Sequence, residues 1–154
     1  MNFIVSYIRR QFPGTPSIDT DQAKEIIDTK QTLIIDCRRE DEFQVSKIPG
    51  AKNLDFKCED NELTELLKDV EKDTQIINYC SLGYRSAIMT NRIQNLVKDR
   101  NPVYNLEGSI FKWANENKPL TDHQDQPTLK VHPYSFKFAF LTLSWNRWKW
   151  SKDD

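Results

Sequence analysis

The sequence predicts an α/β domain with a central parallel sheet flanked by helices. Three observations lead there. Short apolar runs recur at Leu33-Ile34-Ile35, Gln75-Ile76-Ile77-Asn78-Tyr79 and Val103 to Leu106. Segments with helical spacing of apolar residues lie between them. The two types alternate almost throughout, the order that puts helices on the faces of a parallel sheet. A chain of 154 residues has room for one such domain with a real core.

Residues 1–17 form an N-terminal extension ending in the turn-rich Pro13-Gly14-Thr15-Pro16. Asp19 or Thr20 caps a helix through Ala23, Ile26 and Ile27. Leu33 to Ile35 is a buried strand that stops at Asp36, and Glu40 to Val45 reads as a short helix. The turn Ile48-Pro49-Gly50-Ala51 leads to a short strand at Asn53-Leu54. Leu63, Leu66 and Leu67 mark a helix, with Val70 near its end. After the strand Ile76-Ile77, the residues Ile88, Ile93, Leu96 and Val97 give the next helix its apolar face. Val103 to Leu106 is a strand, and Ile110, Phe111 and Trp113 belong to a helix. Residues 121–128 are polar and read as a linker. The domain is therefore expected at 18–120, with an aromatic-rich C-terminal extension to residue 154.

Bulk composition narrows the function. A formal net charge of -1 exerts no overall pull on nucleic acid. Three cysteines, with no CxxC pair, do not make a disulfide framework, so a reducing compartment, the cytoplasm, is expected. His123 and His132 lie near no cysteine in sequence, so neither a metal site nor a cofactor is expected. At the N-terminus the apolar residues precede the positive charge, the reverse of a signal peptide.

The stretch that carries chemistry is Cys80-Ser81-Leu82-Gly83-Tyr84-Arg85-Ser86. It joins an apolar strand to a helix. A thiol there sits among backbone N–H groups at the positive end of a helix dipole, a setting that favours the nucleophilic thiolate. Gly83 permits tight curvature and Arg85 supplies a cation. Ligands of parallel sheets bind beyond the carboxyl ends of the strands, and Cys80 lies at one such end.

Taken with the rest of the chain, this loop resembles the rhodanese family, in particular its single-domain sulfurtransferases. Asp36-Cys37-Arg38 is similar to the family's Asp-Val-Arg at a strand end. Glu42-Phe43 falls where the family carries a glutamate and an aromatic. Lys47-Ile48-Pro49-Gly50-Ala51 resembles its His-Ile-Pro-Gly-Ala turn, and Leu106-Glu107-Gly108-Ser109-Ile110 with Trp113 and Pro119 resembles its closing motif. The resemblance implies a three-layer rhodanese-like fold and a double-displacement cycle. Cys80 takes a sulfane sulfur from thiosulfate or a persulfide donor, small or protein-borne, and passes it to a thiol or other nucleophilic acceptor. The N–H groups from Ser81 to Ser86 stabilise the persulfide. Arg85 either binds the donor's anionic part or braces the loop against a carboxylate, and Asp36 with Arg38 forms a supporting ion pair.

Two other readings stand beside this one. The first is a non-catalytic binding module on the same fold. The second is a phosphatase or arsenate reductase, which ranks lower because those relatives space Cys and Arg by five residues, against four here. Lys47 stands for the family's histidine and Ser109 for a glycine, both read as structural. Cys37 is read as buried filler, and Cys58 as incidental. In the tail, Phe138, Leu141, Trp145 and Trp148 suit one face of a helix, whereas Phe136, Phe138 and Phe140 alternate as in a strand. The tail is expected to pack on the domain, with a homodimer or partner contact as the alternative. Polar Thr142, Ser144 and Asn146 argue against a membrane-surface helix.

Overall fold

The computed structural model describes residues 1–153. Five parallel strands form the sheet: β1 (Ser17–Ile18), β2 (Thr32–Asp36), β3 (Lys52–Asn53), β4 (Gln75–Tyr79) and β5 (Val103–Leu106). Their spatial order is β1-β5-β4-β2-β3, and each neighbouring pair is parallel. The connecting helices are α2 (Thr20–Thr29), α3 (Glu40–Val45), α4 (Asp60–Leu67) and α5 (Tyr84–Val97), and α6 (Ser109–Asn115) follows the last strand.

Strand alternation builds two cores, because successive side chains point to opposite faces. Ile34, Ile77 and Leu106 pack with Ala23 of α2 and with Phe111 and Trp113 of α6. Ile35, Ile76 and Val103 pack with Leu63 and Leu67 of α4 and with Met89 and Ile93 of α5. Helix α2 starts at the expected cap: Asp19 accepts from the Gln22 amide while the Gln22 side chain accepts from the Asp19 amide.

Two local expectations are corrected, and the N-terminal extension gains an element that was not assigned. The buried face of α5 is Ser86, Ala87, Met89, Thr90 and Ile93, while Leu96 is exposed. Polar Asn78 and Asn105 on the strands beneath hold this face, Asn78 by donating to Thr90 Oγ1 at 3.0 Å. The N-terminal residues form a helix, α1 (Asn2–Gln11), rather than only an approach to the turn. It has an amphipathic signature, with Met1, Ile4, Val5 and Ile8 on the more buried side and Arg9 and Arg10 in the last turn, where the dipole favours cations. In the tail, α7 (Phe136–Thr142) is helical but ends at extended Leu143, so Trp145 and Trp148 do not continue it. It faces the domain through Ala139 and Thr142 and leaves Phe136, Phe140 and Leu141 exposed. Small Ala139 allows the close approach. Val131, Ala139 and Leu143 enter the same core as Ile77 and Phe111.

The polar stretch 121–128 runs along the domain. Thr121 pairs with Lys47 in an antiparallel bridge, and Lys47 Nζ donates to the Asp122 carbonyl at 3.0 Å. Among the described residues, no helix is long and apolar enough to cross a membrane.

Candidate active site

Parallel strands bring their carboxyl ends to one edge, and Asp36 of β2 stands beside Tyr79 of β4 in register. Cys80 follows directly, 2% exposed. The chain then turns back so sharply that Gly83 adopts φ 116°, a region that side-chain-bearing residues avoid. That turn aims the Gly83 N–H at Cys80 Sγ, 3.1 Å away. The first turn of α5 adds the Ser86 hydroxyl at 3.5 Å.

Burial pushes the Cys80 thiol up. The Arg85 charge, the Ser86 hydroxyl and the amides of Ser86 and Gly83 outweigh it and hold the thiol below its ordinary value. Cys37, equally buried but without such donors, is pushed well up by burial and by its proximity to Cys80 and Asp36. Cys58 is raised by burial despite neighbouring Arg92, which donates to the carbonyls of Phe56 and Cys58. Of the three thiols, only Cys80 is held below its ordinary value.

Arg85 makes the bracing contact. Its Nη1 and Nη2 donate to Glu42 Oε2 and Oε1 at 2.8 and 2.9 Å, and Nη2 also donates to Ser81 Oγ at 2.9 Å. Glu42 is fully buried, and Ser81 Oγ donates to its Oε1 at 3.2 Å. Burial raises the Glu42 carboxyl, but the hydrogen bonds and charge of Arg85 override it and hold the group at about 2. Asp36 and Arg38 lie behind this pair, both buried, with Arg38 Nε and Nη2 on the carboxylate at 2.9 and 2.6 Å. Arg38 Nη2 also donates to the Ser46 carbonyl at 2.6 Å. That ties the two ends of α3 and so places Glu42. Leu82 and Tyr84 turn toward the cavity above Cys80.

The residues expected from the loop and from Asp36 and Arg38 thus come together. Several others at the site were not assigned to it from sequence. Asn105 donates to the Gly83 carbonyl at 3.1 Å and lies 2.6 Å from the Ser86 hydroxyl, so it fixes both ends of the turn. Ser109, at φ 47°, accepts from the Cys80 amide at 3.1 Å. A glycine signal was legible at 109 only as a departure from the family motif. Above the thiol lies a cavity of about 390 Å³ whose walls include Ile4 and Tyr7 of α1 and Tyr134 and Phe138 of the C-terminal segment.

Over residues 19–116 the chain matches the rhodanese-like domain. It is 27% identical over 104 residues to a sulfurtransferase from Allochromatium vinosum, covering 67% of this chain and 92% of that protein. It resembles a rhodanese-related protein from Thermoplasma volcanium at TM-score 0.56 and 27% identity, over 69% of this chain and 97% of the other. A thiosulfate sulfurtransferase from Pseudomonas aeruginosa aligns at TM-score 0.60 and 23% identity over 79% of this chain. The chain spans only 23% of that protein's length, and the likeness there is one of fold.

Proposed function

The chain belongs to the rhodanese-like domain family, and on that premise we propose that it is a sulfurtransferase carrying sulfane sulfur as a persulfide on Cys80. The observation that carries the reading is the contact between Cys80 Sγ and the Gly83 N–H at 3.1 Å, in a loop that makes this thiol, and neither of the other two, more acidic than usual.

In the first step the Cys80 thiolate attacks the outer sulfur of a donor R–S–SH. The donor's S–S bond breaks and its electron pair leaves on R–S⁻, which takes a proton. In the second, an acceptor thiolate attacks the outer sulfur held on Cys80, and the Cys80–sulfur bond breaks to return the thiolate. One sulfur atom moves between thiols, with no external oxidant or reductant. The loop amides, already aimed at Sγ, stabilise the anionic terminal sulfur as they do the thiolate.

The phosphatase reading fares worse on charge. A phosphate dianion over this loop would meet the buried Glu42 carboxylate beside Arg85, with three of the guanidinium's hydrogen bonds already committed. The binding-module reading leaves the lowered thiol without a purpose.

The test is intact-mass measurement after exposure to a sulfane-sulfur donor. Wild type gains the mass of one sulfur atom, mapped to Cys80, and Cys80→Ser gains none while keeping its melting temperature. Equal sulfur transfer by Cys80→Ser would falsify the mechanism.

A further inference from the structure

Half of the residues that wall the cavity above Cys80 lie outside the stretch that matches the family. Helix α1 supplies Ile4, Tyr7 and Ile8, and the C-terminal segment supplies Tyr134 and Phe138. Both segments are fastened in place. Arg9 donates twice to Glu107, at 2.6 and 2.7 Å, which clamps α1 to the loop after β5. Phe12 packs edge-on against Tyr84 with ring centres 5.0 Å apart. The tail is tied to α6 by Asn115, which donates to the Thr142 carbonyl at 2.7 Å and accepts from the Ser144 amide at 3.1 Å. Tyr134 lies against the Arg85 guanidinium, 4.6 Å from its ring centre.

We propose that the sulfur donor is a small persulfide or thiosulfonate bearing an aromatic or aliphatic substituent, and that Tyr7, Tyr134 and Phe138 select for that substituent. The proposal rests on the sulfurtransferase reading and names the substrate class of the same site.

Charge and size favour it. Among the described residues, Arg85 is the one cationic side chain in the cavity lining, and its charge is matched by Glu42. A dianion such as thiosulfate therefore finds no net positive charge. The loop amides are aimed at Cys80 Sγ, so the dianion's oxyanion end would lose hydration against apolar walls with little in return. A neutral or singly charged donor loses less, and its substituent meets rings and aliphatic chains. The volume of about 390 Å³ sits at the small end of small-molecule sites, roughly 300–1,000 Å³. Cys80 at its floor is nearly closed off, which suits a small donor that enters rather than a protein surface that rests on the rim.

The step balances for the probe benzenethiosulfonate. The Cys80 thiolate attacks the terminal sulfur, the S–S bond breaks, and benzenesulfinate leaves with the electron pair. One negative charge remains on the new persulfide and one on the sulfinate.

The experiment compares sulfur loading of the full chain from benzenethiosulfonate, methanethiosulfonate and thiosulfate. Each rate is divided by the same donor's rate with a simple thiol. The expected result is a kcat/KM for benzenethiosulfonate at least about tenfold above that for methanethiosulfonate, with thiosulfate slowest. Phe138→Ala should collapse the ratio toward one, and Phe138→Leu, which keeps an apolar wall, should preserve most of it. Phe138 is 43% exposed, so neither change opens the core. Equal normalised rates, or a ratio untouched by Phe138→Ala, overturn the proposal. Loading only from a persulfidated protein also overturns it, in favour of a macromolecular donor, and leaves the sulfurtransferase reading standing. No loading of Cys80 from any donor rejects both.

Discussion

Glu42→Gln tests how the loop is held. The carboxylate is fully buried and takes two hydrogen bonds from Arg85, one from Ser81 and one from the Arg39 amide. A carboxyl held at about 2 instead of 4.5 stabilises the native state at neutral pH by about 3 kcal/mol, at roughly 1.4 kcal/mol per tenfold change in acidity. Breaking a buried pair by removing one partner costs about 3–5 kcal/mol, the same range. For a chain of this size that lowers the Tm by about 6–12 °C. The sign of the pH dependence follows from a depressed carboxyl. Its contribution is complete above the unfolded value near 4.5 and is lost as pH falls toward 2. The gap in Tm between wild type and Glu42→Gln should therefore be widest at neutral pH and close between pH 4.5 and 2. The variant also leaves the Arg85 charge uncompensated, so thiosulfate should gain relative to neutral donors. Circular-dichroism melts across pH, with donor kinetics at neutral pH, check both. A Tm within about 2 °C of wild type, or a gap constant down to pH 2.5, would refute the bracing role.

Other expectations concern the loop itself. Ser86→Ala removes a hydroxyl that helps hold the Cys80 thiol low, so the midpoint of the pH profile for Cys80 alkylation should move up. An unmoved midpoint would show that the backbone amides and Arg85 suffice. Gly83→Ala places a side chain at φ 116°; the space nearby is ordinary, so the strain is in the backbone, of order 1–3 kcal/mol. It should cut sulfur loading at least about tenfold by turning the amide away from Sγ, and undiminished loading would dispose of that amide's role.

What the chain's linear order determines is whatever depends on neighbours in sequence. The thiol, the glycine that turns the chain and Arg85 lie within six residues, so their chemistry was readable from a single stretch. The three central strands were readable for the same reason. A buried strand announces itself by its own apolar run, as Gln75 to Tyr79 does. The carboxylate that Arg85 grips lies 43 residues upstream, and only the pairing of β2 with β4 brings α3 beside the loop. Asn105 looks like an unremarkable polar residue, and Ser109 like a bare departure from a glycine motif, until the crossover after α5 sets β5 next to β4. Of the expected apolar face of α5, Ile93 is buried and Val97 packs on the core but Leu96 is exposed, because spacing shows which residues share a side of a helix, not how far the sheet covers it. The aromatic tail shows the same limit most fully. Composition revealed a dense run of rings, but small Ala139 made the close contact, and that turned Phe138 toward Cys80 instead of into the core. Side-chain hydrophobicity sets how much burial is favourable, but the direction a helix faces is decided by the shape of what it packs against. In this chain that shape joins two sequence ends over one sulfur atom.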